Sequence, residues 1–457
     1  MIKTEADAFS MIYLFFVSLA AAHLQLAPPN FTTSEQERIV FVDFISAHYE
    51  WKFGAGTHTI LSTIRFVQKS EGMPVIEFTK GITSVAVNGN PATTKMVSLP
   101  PATSARDTNY QVRIISQNLK AGEHEVVLEH SLSSEGPTWS NGAPTFLMDM
   151  SDLINHRGMM ERFLPTNLAY DQYKMTMSFD FSAIAQPIKL STNGDIKKMR
   201  QNVWEVDYLE YYNAHSIFLH FGPIANYHIQ EFNYTSNDGR ILPVKLYMKN
   251  SHATTEFIVK AKEQTIRDLN YVEKRLGPFP HEQIIIFIRP GSGGMEYAGA
   301  TTTGISSLRH ELVHSYYARS VMPGNGNANW IDEAVATYVD TPPNAALNTP
   351  LGLAANNVYY RHTSLYSYDE GAEFLYRLND KLAAKDPSRS ILGFLKEFMN
   401  IAKASLVTTE DFENGLEAYH GESLDQDFVK YMYTPVRMNS LTVFNNPHHA
   451  ETPPDLW

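Results

Sequence analysis

His310-Glu311-Leu312-Val313-His314, followed after eighteen residues by Glu333 within Trp330-Ile-Asp-Glu-Ala-Val-Ala-Thr-Tyr338, decides how this chain is read. Positions i and i+4 of a helix share a face, so His310 and His314 present two imidazoles to one point. Zn²⁺ accepts neutral imidazole nitrogens and carboxylate oxygens, and a catalytic zinc takes three protein ligands and leaves a position open. Glu333 is the expected third ligand, carried by a second helix. Glu311, between the histidines, is placed as a general base toward water at that metal. One zinc per chain is expected.

Composition limits the alternatives. The chain has 457 residues, 43% of them hydrophobic and 12% aromatic, which suits two or three globular domains with large cores. It has 37 basic and 49 acidic residues, a formal charge of −12, and no block of Lys or Arg, so nucleic-acid binding is not expected. There are no cysteines, so a metal site must be built from His, Asp and Glu. The apolar run Met11–Ala22 is short for a membrane span. With Ala20 and Ala22 ahead of His23 it reads as a signal peptide over residues 1–22. An uncleaved anchor or a buried helix are the other readings. Export to a bacterial periplasm or the medium is the expectation, with no stable membrane span and the oligomeric state left open.

Upstream of the metal motif the period is that of strands. Val75–Thr79, Val85–Val87, Tyr110–Ile115, Glu125–Glu129, Met175–Phe181 and Ile217–Phe221 are short and rich in β-branched or aromatic residues, with turn signals such as Asn88-Gly89-Asn90 between them. They predict an antiparallel β saddle or sandwich over residues 30–231. The period then changes. Ile258, Ala261, Ile266, Leu269, Val272 and Leu276 mark a helix of about six turns, stopped by Gly277-Pro278. A buried strand, Ile284–Ile288, and the metal helices follow, so residues 232–440 form the second domain. Residues 441–457 read as an extended tail, and His448-His449 within it as a solvated pair. The fold class is multidomain α+β.

Two further groups bear on chemistry. Gly293-Gly294-Met295-Glu296 permits close backbone approach, and the following Ala298–Thr303 reads as an edge strand able to pair with a peptide. Glu296 at its end would face a substrate's α-amino group through a charge-assisted hydrogen bond; a solvated loop glutamate is the plainer reading. Tyr368, in Tyr368-Asp-Glu-Gly371, offers a phenol that can donate to an oxyanion beside the metal.

In this order, Gly-x-Met-Glu, His-Glu-x-x-His-x18-Glu and a later Tyr-x-x-Gly resemble the zinc aminopeptidase family that includes alanyl aminopeptidases and leukotriene-A hydrolase. Leu276-Gly-Pro-Phe-Pro-His-Glu-Gln283, Ile82–Gly89, Leu119–Glu123 and Arg162–Tyr173 extend the resemblance over roughly residues 40 to 435. It implies a β saddle followed by a thermolysin-like zinc metallopeptidase domain acting on peptides. It also implies His310, His314 and Glu333 as zinc ligands, Glu311 as base, Gly293–Glu296 as substrate-binding and Tyr368 as transition-state donor.

Four departures from the family pattern stand out. Tyr297 replaces an Asn, thirteen residues separate Glu296 from His310, Tyr366 rivals Tyr368, and the large helical C-terminal domain has no counterpart. The favoured expectation is a zinc aminopeptidase. A zinc endopeptidase with an open cleft, or a non-catalytic scaffold of the same fold, are the alternatives.

Overall fold

The computed structural model describes residues 26–434 apart from 101–110, 134, 152–157, 326, 342–349, 355–358 and 360–362. The expected signal peptide, the tail of residues 441–457 and His448-His449 lie outside the described residues.

Beside a three-stranded sheet (31–32, 38–40, 73–74) and a two-stranded one (94–98, 111–115), two facing sheets make most of the first half. One has eight strands, in the order 195–200, 203–207, 174–180, 43–54, 57–68, 122–130, 84–87 and 90–91. The other has four, in the order 138–140, 143–147, 219–223 and 188–192. Alternation along the long strands points Trp51 and Phe53, with Phe179 and Phe181 beside them, toward Phe146 and Phe221 of the second sheet. Phe53 and Phe181 stack with centroids 4.1 Å apart, and this aromatic block fills the sandwich.

The expectation of a purely antiparallel domain needs correction, because strand 174–180 runs parallel to strand 43–54. A parallel neighbour requires a long crossover, and here more than a hundred residues of intervening chain supply it. Val75–Thr79 also departs from the expected strand. Its N–H groups bond in turn to Val40, Arg113, Thr166 and Glu161, so it stitches several elements together without forming one ladder.

The second half is built on a five-stranded sheet. Its elements are β1 (Tyr227–Thr235), β2 (Ile241–Lys249), α1 (Thr255–Leu276), β3 (Ile284–Arg289), β4 (Gly294–Tyr297) and β5 (Ala300–Gly304). Then come α2 (Leu308–His314), α3 (Trp330–Asp340), α4 (Asp369–Lys385), α5 (Ile391–Ala402) and α6 (Thr409–His420). The strand order is β1-β2-β3-β5-β4. β1 continues across residue 231 and pairs along its whole length with β2. The change of sheet therefore falls at the turn Ile224–Asn226, a few residues before the expected cut.

β3 is apolar on both sides because both sides are covered. Ile284, Ile286 and Ile288 pack with the helices, while Ile285 and Phe287 pack with the β sandwich. The expected six-turn helix is α1, capped by the Thr254 hydroxyl, which accepts from the Phe257 N–H. Among the described residues, no helix is long and apolar enough to cross a membrane.

The edge strand is not the one expected. Ala300–Gly304 pairs with β3 on one side and β4 on the other, and Ala300 through Thr303 are all buried. Its threonines look like surface residues in sequence, but all three are buried, and two of the hydroxyls donate to backbone carbonyls, Thr301 to Met295 and Thr303 to Gly304. The strand at the edge of the sheet is β4, which carries Met295 and Glu296.

Candidate metal centre

α2 is only seven residues long and is held on several sides. Leu308, Leu312 and Val313 enter the helical core. Arg309 donates to Asp268 of α1 at 3.1 Å and to Asp340 of α3 at 3.3 Å, so its guanidinium straps α2 to both neighbours. The opposite face presents His310 and His314, whose rings lie edge-on with centroids 4.7 Å apart.

α3 brings Glu333 to them in its first turn. Glu333 Oε2 lies 3.1 Å from His310 Nε2 and 3.4 Å from His314 Nε2. Tetrahedral zinc with ligand bonds near 2.0–2.1 Å sets its ligand atoms about 3.3 Å apart, so this donor set has the spacing and chemistry of a zinc site. The three residues form one of the groups, among the described residues, whose ligand atoms all fall within 4.8 Å of one another.

The Tyr368 hydroxyl donates to the other carboxylate oxygen, Glu333 Oε1, at 2.6 Å, and its ring lies parallel to His310 at 6.1 Å. Its approach depends on Gly371, one turn into α4, where an added Cβ would stand 2.8 Å from the Ala334 Cβ. Without that contact α4 would ride further from α3. Tyr366, the rival, packs at the margin of the helical core.

Glu311 lies between the group of His310, His314 and Glu333 and β4, with a carboxylate oxygen within 4.8 Å of a His314 ring nitrogen. A Cβ on Gly294 would stand 2.4 Å from its carboxyl carbon, so glycine there is a condition of the Glu311 position. The Gly293 N–H donates to Ser307 Oγ at 2.8 Å, tying the strand to the start of the metal helix. Met295 is buried with the sandwich residues and offers the site no side chain. Tyr297 also turns inward; its hydroxyl donates to the Met148 carbonyl at 3.1 Å.

Burial pushes the Glu311 carboxyl well above the usual range; His314 opposes this, and Glu296 and Glu333 reinforce it. Burial works against a charged His314, but Glu333 and Glu296 outweigh it and hold the imidazole well above its ordinary range. Burial likewise opposes a charged Glu333, and His314 and His310 overcome it, leaving this carboxyl far below the ordinary range. The carboxylates thus divide into one held in its charged form and one pushed toward its protonated form.

Glu296 is buried and already paired. Its Oε1 accepts from Arg319 Nη2 at 2.5 Å, and its main-chain oxygen accepts from Arg319 Nε at 3.1 Å. Glu296, Glu311 and His314 form a second cluster with ligand-type atoms within 4.8 Å of one another. Arg319 was not singled out from sequence. The available signal was a lone cation in the otherwise apolar or small run Tyr316-Tyr-Ala-Arg-Ser-Val-Met-Pro323, where a charge is buried only if paired.

No protein-family model and no curated protein sequence matches the chain. Solved structures do match in fold. Legionella pneumophila aminopeptidase A is similar over 86% of this chain with a TM-score of 0.63 and 14% identity; the match spans 50% of that protein. An M1 zinc metallopeptidase from Deinococcus radiodurans is similar over 89% of this chain and 96% of its own length, with TM-score 0.58 and 15% identity. Yeast LTA4 hydrolase is similar over 88% of this chain and 69% of its own, with TM-score 0.60 and 13% identity. The chain therefore has the multidomain α+β fold of the M1 zinc metallopeptidases, a β domain followed by a helix-covered mixed sheet.

Proposed function

We propose that the chain is a zinc-dependent peptidase that holds one zinc ion and removes N-terminal residues from peptides. The observation that carries this reading is the convergence of His310 Nε2 and His314 Nε2 on Glu333 Oε2, with Glu311 between the two histidines on the same short helix. When bound, the ion supplies Lewis acidity, polarising a carbonyl and making water more acidic.

The remaining steps belong to side chains. Glu311 accepts the proton of the attacking water and returns it to the departing amine; burial raises its proton affinity, which favours taking the proton up. Tyr368, hydrogen-bonded to Glu333 and stacked over His310, donates to the oxygen that gains charge as the carbonyl is attacked. The peptide lies along the edge strand β4, whose main-chain groups other than the Glu296 carbonyl, already taken by Arg319, supply pairing. Glu296 at that strand faces the free α-amine, which favours cleavage of the first bond.

The test is hydrolysis of a panel of aminoacyl-coumarins and matched N-acetylated peptides, with chelator and zinc add-back. Loss of activity with chelator and return with zinc are expected, along with faster cleavage of free-amine substrates. Activity indifferent to chelator sinks the metal reading. Glu296→Ala should weaken free-amine substrates more than blocked ones. The endopeptidase reading has one observation in its favour, the guanidinium already bound to Glu296.

A further inference from the structure

The Glu296 carboxylate is one half of a buried ion pair. Arg319 and Glu296 side chains are 1% and 4% exposed. The guanidinium grips residue 296 twice, through the carboxylate and the main-chain oxygen, and its third contact is the Ala318 carbonyl at 3.1 Å.

The backbone is bent to bring Arg319 there. Ala318 has φ of +148°, in the region that favours glycine, and its N–H donates to the Val321 carbonyl. The Arg319 N–H donates to the His314 carbonyl at 3.0 Å, so the clamp starts from the end of the metal helix itself.

A substrate ammonium is attracted by negative charge that nothing else has cancelled. Away from water a guanidinium in hydrogen-bond contact cancels most of a carboxylate's field. Arg289 adds a second cation acting on Glu311. Of the three carboxylates grouped here, Glu333 faces the metal and Glu311 the reacting water, so Glu296 is the one left for an amine, and it is paired.

We infer that Arg319 is a specificity-determining residue that lowers the site's demand for a protonated α-amine, so that peptides with an uncharged N-terminus are accepted beside free ones. This rests on the reading of Glu296 as the group that faces the substrate amine.

The test compares one fluorogenic tripeptide with its N-acetylated form, on the same zinc-loaded preparation, in the wild type, Arg319→Gln and Arg319→Lys. A ratio read within one preparation is insensitive to the fraction folded, which matters because breaking a buried pair destabilises. The wild type should prefer the free peptide only modestly. Arg319→Gln should raise the free-to-blocked ratio of kcat/KM on the order of tenfold, mostly through KM, as expected when one charge-assisted contact is released. Arg319→Lys, which keeps the charge, should stay near the wild-type ratio.

Calorimetric binding of both peptides to Glu311→Gln enzyme, with and without Arg319→Gln, should show the same shift in Kd. A wild type that rejects the blocked peptide outright overturns the proposal. So does an Arg319→Gln ratio that falls, meaning the clamp sharpens amine recognition, or that stays put, meaning its role is structural. If the gain survives in Glu296→Gln/Arg319→Gln, it is the placement of the amine at Glu296 that fails. Neither cleavage nor binding of either peptide sinks both readings.

Discussion

The two sides of this site are built on different plans. The ligand side, His310, His314 and Glu333, stands on two helices whose facing turns are set by periodicity and by close packing of α3, α4 and α2. The substrate side, Glu296 and Arg319, joins an edge strand to the bend after the metal helix, and its geometry comes from one buried ion pair. A helix face places its side chains through local backbone hydrogen bonds, whereas a clamp depends on both partners being present. The ligand side should therefore lose function group by group, and the substrate side should respond as a pair.

The largest effects fall on the ligand side. Glu333→Ala removes one of the three proposed zinc ligands and the acceptor of the Tyr368 hydroxyl. Zinc retained after dialysis should drop to background, and the zinc-induced rise in Tm should disappear, since only ligand bound to the folded state stabilises it. Glu311→Gln leaves all three ligands in place. It should keep its zinc while kcat falls by roughly 10²–10⁴-fold, the usual worth of a positioned general base. Metal analysis beside a rate measurement checks both. A Glu311→Gln enzyme that loses zinc would show that the two roles are not separate, and the contrast drawn above would weaken.

How much of this was legible in the sequence follows from the same contrast. His310, Glu311 and His314 lie within one turn, and Glu333 needs only a second helix laid against the first, so residue spacing was enough to propose them. The six-turn α1 and the buried β3 were legible for the same reason, since each has one unambiguous period. The edge strand was misread because Thr301–Thr303 are polar in composition yet central in the sheet; pairing order is not written in local pattern. The parallel strand 174–180 was hidden for a related reason, because its partner 43–54 lies far away in the chain. Arg319 was missed because nothing near it in sequence names Glu296 as its partner. The change of sheet at Ile224–Asn226 escaped because β1 reads like one more strand of the sandwich before it.

Two glycines sharpen the comparison, since both sit at close approaches but against different neighbours. At Gly294 an added Cβ would meet the carboxyl end of Glu311, at 2.4 Å from Cδ and 2.5 Å from Oε1. A side-chain end can swing aside, so Gly294→Ala should cost little stability. It displaces the base, however, and a shift of about 1 Å in a catalytic group can lower kcat on the order of 10²-fold. At Gly371 the added Cβ would meet Ala334, at 2.8 Å from its Cβ and 3.5 Å from its Cα, and neither atom can rotate away. Gly371→Ala must therefore move helix against helix. It should destabilise the fold by about 1–3 kcal/mol, the range for overpacked cores, read as a lower denaturation midpoint. As α4 moves out it carries Tyr368 away from Glu333 Oε1, so zinc affinity should weaken as well, while the free-to-blocked substrate ratio stays at its wild-type value. A Gly371→Ala protein with unchanged stability would mean that the α3–α4 contact is looser than 2.8 Å implies. A changed substrate ratio would mean that the helices and the Glu296–Arg319 clamp are coupled after all.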